Sequence, residues 1–237
     1  MSKRVLVVDV GGTNVKVYGP GRAEPLKMPS GPTLTPKRMI AGVRRAVASQ
    51  GLDFDAVSIG IPAPVSRGKV LREPANLGRG WTRFDFAKAF SKPVRIANDA
   101  AMQAIGSYDG GTMLFLGLGT GLGSALVVNG TLVPLELARL PYKKGELEDY
   151  LGLRGLEKHG KRRWRQLVAD VVALLRKALV VDQVVLGGGN VRRLKELPEG
   201  SRLGSNAFAR TGGERLWSEV ARDDPRARPL RVDAAPM

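Results

Sequence analysis

The stretch "VLVVDVGGTNVKVYG", residues 5–19, runs apolar into an acid, turns on two glycines and resumes as alternating apolar and polar residues. Residues 4–10 and 14–18 read as two strands joined by Gly11-Gly12-Thr13, a hairpin rather than a strand-to-helix turn. That excludes a dinucleotide fingerprint, which needs G-x-G-x-x-G between a strand and a helix. A Walker A loop is excluded too, because G-x-x-x-x-G-K-[ST] occurs nowhere in the chain.

The hairpin has an echo. Laid over "MLFLGLGTGLGSA" (113–125), Leu6 meets Leu114, Val8 meets Leu116 and the turn glycine Gly11 meets Gly119. A repeated strand–turn–strand module predicts two similar lobes facing a cleft. Either turn alone is compatible with an ordinary hairpin. Two of matching form, with a third glycine run at 187–189, point to nucleotide or phosphate binding. Bare backbone N–H groups can surround an anion, Thr13 and Thr120 offer hydroxyls, and Lys16 offers a cation.

Elsewhere, "TPKRMIAGVRRAVASQ" (35–50) has a helical period, with Met39, Ile40, Val43 and Val47 on one face. "AVSIGIPAPV" reads as a buried strand entering a loop. "PVRIAND" reads as a strand after which Asn98-Asp99 caps the helix "AAMQAIGSY". Asn129-Gly130 signals a type I′ hairpin. Residues 161–179 form an amphipathic helix leading into the strand of "DQVVLGGGN", and "VRRLKEL" after it reads as helical. The tail, 223–237, is rich in proline and charge and is expected to be loose.

The 237 residues allow one large or two small domains, and 43% hydrophobic with 5% aromatic content fits a globular α/β chain. Cysteine is absent, which excludes disulfides, a thiolate nucleophile and a cysteine zinc site. "MSKR" precedes only a short apolar run, so neither a signal peptide nor a transmembrane span is expected and the address is cytoplasmic. Lys and Arg number 38 against 22 acids, a net charge of +16. That balance suits polyanion binding or a solvated basic surface.

Taken in order, "DVGGTNVK", "GIPAPV", "ANDA", "LGTGLGSALVVNG" and "LGGGN" resemble the ROK sugar kinases of the actin–hexokinase–Hsp70 fold, and among them the polyphosphate/ATP glucokinases. The resemblance covers roughly residues 4–217. It implies an α/β, two-lobed actin-like (ribonuclease H-like) fold with an interlobe cleft. The lobes are expected at 1–97 and 98–211, with a C-terminal helix at about 212–222 returning to the first.

The resemblance also distributes roles. Asp99 is similar to the catalytic base that takes the proton of the sugar 6-hydroxyl, whereas a plain helix cap is the other reading of an acid there. Asp9 would hold Mg²⁺ through water. Gly11, Gly12, Thr13, Lys16, Gly119, Thr120 and Gly121 would face the donor phosphates, and Gly187, Gly188, Gly189 and Asn190 the nucleoside. Asn76, Asn98, Asp99, Glu136, Arg139 and Glu148 would border the sugar.

Two departures from the family pattern stand out. The zinc-binding cysteines are missing, so no zinc is expected. The family's sugar-binding histidine is replaced by Arg139, a permanent cation without an acceptor; the only histidine, His159, lies in a different motif. Arg139 is expected to pair with Glu136 or Glu148. The expected function is transfer of a phosphoryl group from ATP or polyphosphate to glucose or a related hexose. Lys143-Lys144, "KHGKRRWR" and "RRLK" supply basic density suited to polyphosphate. A catalytically silent sugar- or phosphate-binding protein is the alternative. A ROK-type regulator would need a helix-turn-helix ahead of the hairpin, which starts at residue 4. The partners expected are sugar, donor and a second copy of the chain, without nucleic acid or membrane.

Overall fold

Residues Val5–Val10 form strand β1, and all six are buried, as befits a central strand covered on both faces. The computed structural model describes residues 3–205 and 207–217. They divide into two units, one with the described residues up to Met102 and those from Ala209, the other with Gln103–Phe208.

In the first unit β1 is followed by β2 (Asn14–Tyr18), β3 (Leu26–Pro29), helix α1 (Pro36–Ser49) and β4 (Ala56–Ile61). A small hairpin of β5 (Val65–Ser66) and β6 (Lys69–Val70) leads to α2 (Phe86–Phe90), β7 (Val94–Asn98) and α3 (Asp99–Ser107), whose residues from Gln103 on belong to the second unit. The sheet order is β3-β2-β1-β4-β7. β2 runs antiparallel to β1, and β4 and β7 run parallel to it. The pleat sorts the β1 side chains by parity. Leu6, Val8 and Val10 join Met39, Ile40 and Val43 of α1 in one cluster, while Val5 and Val7 join Met102 and Ala209 in another. Asp9 belongs by parity to the second face.

The second unit runs β8 (Thr112–Leu118), β9 (Leu122–Val128), β10 (Thr131–Pro134), β11 (Pro141–Tyr142), β12 (Gly145–Glu146), α4 (Leu147–Leu151), α5 (Leu153–Leu179), β13 (Gln183–Gly187) and β14 (Ser201–Leu203). Its sheet order, β10-β9-β8-β13-β14, repeats the first: an antiparallel hairpin, then a parallel strand beside its first arm. The echo in sequence is a repeat in topology. The turns differ, however. Val10 pairs with Val15 across the first turn and Leu118 with Leu122 across the second, which is one residue shorter. The register places Gly117 opposite Gly123 where the first unit has Asp9 opposite Lys16.

Helix α5 breaks at Gly160 (φ 70°, ψ 163°), so its amphipathic part starts at 161, where the periodicity begins. Trp164, Val168, Val171 and Leu175 bury one stripe against Leu114, Leu116, Val184 and Leu186. Asn129 (φ 48°) and Gly130 (φ 81°) make the left-handed turn expected of Asn-Gly.

Two local expectations fail. "VRRLKEL" forms only a 3₁₀ turn, Val191–Arg193. The segment is too short to hold a helix unaided, and Pro198 disfavours helical geometry just before it. The C-terminal helix α6 spans Ala207–Arg215, not a start at 212. Gly212 and Gly213 lie within it: a Cβ at Gly213 would sit 2.5 Å from Val7 Cγ1, so the glycine permits close packing on β1. Residues 218–237, including the rest of the expected helix and the tail, lie outside the described residues.

Candidate functional site

Asp9 is the penultimate residue of the buried strand β1, two positions before the glycine turn, and Lys16 is its cross-strand neighbour. Lys16 Nζ donates to Asp9 Oδ2 at 3.3 Å. Asp9 is 4% exposed. Burial pushes its carboxyl above the usual range, and Lys16 opposes the rise. The turn itself is closed by Gly11 N–H on the Asn14 carbonyl and braced by Ser30 N–H on the Thr13 carbonyl, both at 3.0 Å. Gly11 and Gly12 are half-buried and Thr13 is exposed. Among the described residues no group of three or more His, Cys, Asp or Glu could hold a metal ion. Mg²⁺ needs only one or two carboxylates when substrate phosphates complete its shell, so a lone buried carboxylate beside a phosphate-type turn fits that ion.

At the β7–α3 junction, Ala101 N–H donates to Asn98 Oδ1 at 3.1 Å, and Asn98 Nδ2 donates to the Ala63 carbonyl at 3.2 Å. Asn98 is therefore the helix cap and also ties the junction to the loop after β4. Asp99 is the first helical residue. Asn76 is exposed in the loop between β6 and α2. That loop depends on a residue with no signal in the sequence, Glu73. Its carboxylate accepts the N–H groups of Gly80 and Trp81 at 3.0 Å each, and of Thr82 at 3.4 Å, with the Thr82 hydroxyl at 2.9 Å. Burial alone would raise the Glu73 carboxyl, but these donors outweigh it and hold the group below its ordinary range. Trp81 fills the underlying core and donates Nε1–H to Gly78 at 2.7 Å.

In the second unit the turn at Gly119, Thr120 and Gly121 is clasped from two directions. Asn190 Nδ2 donates to the Gly119 carbonyl at 2.8 Å, and Asn190 N–H donates to Leu118 at 2.9 Å. Asn190 thus joins the 187–190 loop to the turn. Glycine is needed in that loop on steric grounds. Gly188 has φ +84° and a Cβ there would strike the Leu118 carbonyl, while a Cβ at Gly187 would sit 2.5 Å from Phe115 Cζ. Gly188 and Gly189 also border a groove of about 420 Å³ with Arg192, Lys195, Leu197 and Ser205. From the other direction Glu148 Oε2 accepts Leu122 N–H at 3.1 Å, and Leu153 N–H donates to Thr120 at 3.1 Å.

Glu136 is exposed and precedes the 3₁₀ turn Leu137–Arg139. The expected pairing of Arg139 with Glu136 or Glu148 is not what forms: Arg139 Nη1 donates to Glu146 Oε2 at 2.8 Å. The β11–β12 hairpin brings Glu146 back beside Pro141, which makes it the partner in reach. The Glu146 hydrogen bond, with the nearby charges of Glu148 and Glu136, raises the guanidinium pKa further. His159 is stacked on Tyr150 with ring centroids 5.6 Å apart. Lys143 lies over the rings of Tyr142 and Tyr150.

Two α/β units with one repeated sheet order, each led by a glycine-turned hairpin, define an actin-like fold. Solved structures bear this out. An inorganic polyphosphate/ATP-glucomannokinase from Arthrobacter sp. strain KM superposes with a TM-score of 0.76 at 22% identity, covering 90% of this chain and 97% of its own. A ROK family glucokinase from Streptomyces griseus, solved with glucose and AMPPNP, gives a TM-score of 0.68 at 17% identity, covering 90% and 99%. Residues 5–134, more than half the chain, match the ROK family, and the chain belongs to that family. The polyphosphate glucokinase of Mycobacterium leprae is 26% identical over 207 residues. That match takes in 78% of this chain but 63% of the relative, less than two thirds of its length. Among the described residues no helix is long and apolar enough to cross a membrane.

Proposed function

We propose that the chain is a sugar kinase that transfers a phosphoryl group from polyphosphate or ATP to the 6-hydroxyl of glucose or a related hexose. The observation that carries this reading is the division of labour at the β7–α3 junction. Asn98 performs the capping, and beside it the first helical residue is an acid, Asp99. Membership of the ROK family and the similarity to a polyphosphate glucokinase support the same reading.

In this account the Asp99 carboxylate accepts the proton of the sugar hydroxyl as that oxygen attacks the terminal phosphorus of the donor. The bond from phosphorus to the bridging oxygen breaks, and the shortened polyphosphate or ADP departs with the electron pair. Gly11 and Gly119 spend their N–H groups closing the two turns, and the backbone N–H groups of Gly12, Thr13, Thr120 and Gly121 hold phosphate oxygens, a preorganised arrangement that costs little reorganisation as charge develops. Lys16 adds a cation beside the first turn. Mg²⁺, when bound, neutralises donor oxygens, and Asp9 is the residue that would hold it. Asn76, Asn98, Glu136 and Glu148 orient the hexose. Formation of glucose 6-phosphate with ATP and with polyphosphate, assayed across several hexoses, tests the proposal. Product from at least one donor and hexose supports it; none from any combination contradicts it.

One observation favours a second reading, a sugar- or phosphate-binding protein with weak catalysis. Arg139, where relatives carry histidine, is engaged by Glu146. Arg139→His decides between them: a clear gain in hexose phosphorylation shows that the arginine limits activity. An unchanged or lower rate shows that it does not.

A further inference from the structure

Between β3 and α1 lies a groove of about 340 Å³ lined by Met28, Ser30, Thr33, Leu34, Arg38 and Arg45. Helix α1 carries Lys37, Arg38, Arg44 and Arg45 and no acid. Among the described residues no ion pair engages any of the four. A run of cations on a helix is ordinarily a solvated face. Here two of the arginines line a concave wall, and a polar atom is sunk beside them: Ser30 Oγ is buried without a hydrogen-bond partner among the described residues. Buried hydroxyls are normally satisfied. Arg38 is partly fixed, because its Nη1 donates to the Thr33 carbonyl at 3.0 Å, which leaves four further N–H donors on the fork. Guanidinium forks match phosphate oxygens in pairs.

The groove also has an address. Ser30 N–H donates to the Thr13 carbonyl at 3.0 Å, so the groove begins one backbone hydrogen bond away from the first glycine turn. We infer that Ser30, Arg38 and Arg45 form an accessory subsite for condensed phosphate, holding the part of a long polyphosphate donor that extends past the glycine turn. The inference rests on the donor class proposed above. ATP ends in a nucleoside rather than in further phosphate, so it gains nothing from this subsite.

The test compares the full chain with Arg38→Ala/Arg45→Ala and with Lys92→Ala/Lys177→Ala, which removes the same charge from exposed positions elsewhere. Thermal melts establish that all three fold. Calorimetry at fixed ionic strength then measures binding of long-chain polyphosphate and of tripolyphosphate. The arginine variant is expected to bind the long chain about tenfold more weakly or worse, through lost charge-assisted hydrogen bonds, and tripolyphosphate within about twofold of the parent. The lysine variant is expected to match the parent for both. Equal losses in the two variants, or unchanged long-chain binding in the arginine variant, overturn the subsite. The kinase reading fails separately. If the parent makes no sugar phosphate while long-chain binding still depends on the two arginines, the kinase reading falls and the subsite stands. If the parent phosphorylates hexose from polyphosphate and the arginine variant binds it unchanged, the subsite falls alone.

Discussion

Glu148 Oε2 accepts the backbone N–H of Leu122 at 3.1 Å. The relationship joins a carboxylate expected at the sugar to the turn expected at the donor phosphates, within one unit. It also accounts for Gly121, where a Cβ would collide with the Glu148 carboxylate. Glu148→Ala strands the N–H of a buried residue, a loss of about 1–3 kcal/mol. Differential scanning fluorimetry is expected to show a melting point lower by several degrees. Glu148→Gln keeps an acceptor, so its melting point should stay close to the parent while its KM for hexose rises. Equal melting losses in the two variants would count against the hydrogen bond as the stabilising element.

Asn190 is a brace on the donor side. Its amide holds the Gly119 carbonyl, and Asn190→Ala frees the turn at a cost of about 1 kcal/mol in stability. Steady-state kinetics should show a raised KM for the donor and an unchanged KM for the hexose. A change confined to the hexose would place Asn190 on the wrong substrate.

Glu73 makes a pH prediction. Its carboxyl is held below its ordinary value of 4.5, so ionised Glu73 stabilises the folded chain above that pH. The stability is lost as pH falls through the lower folded value. Glu73→Gln should be less stable than the parent at neutral pH, with the gap narrowing on acidification below about pH 4.5. Melting curves from pH 7 to pH 3 check this; a gap that widens in acid contradicts it. Because the same carboxylate organises the loop bearing Asn76, Glu73→Gln should also raise the KM for hexose more than that for the donor.

The parts legible in the sequence are those written in local pattern. Apolar runs broken by glycine turns mark β1–β2 and β8–β9, and Asn129-Gly130 marks its hairpin. The period of 161–179 gives the stripe that carries Trp164. What was not legible depends on closure in three dimensions. Arg139 meets Glu146, not its expected partners, because a two-stranded hairpin folds the chain back. Glu73 gathers donors seven to nine residues ahead of it, and no spacing rule announces such a clasp. Gly212 and Gly213 resemble a helix boundary, yet both lie inside α6, where a Cβ at Gly213 would meet the side chain of Val7. The hydrogen bond from the Asn190 amide to the Gly119 carbonyl likewise joins residues 71 positions apart, beyond any local pattern.

The central claim is that Asp99 acts as the base for phosphoryl transfer to a hexose. The most direct measurement is the rate of glucose 6-phosphate formation by the parent chain and by Asp99→Asn, with ATP and with polyphosphate, under saturating substrates. The account predicts that kcat falls by about 10²–10⁴ with whichever donor is used, while the melting point stays near that of the parent. A variant that retains the parent's kcat would contradict it.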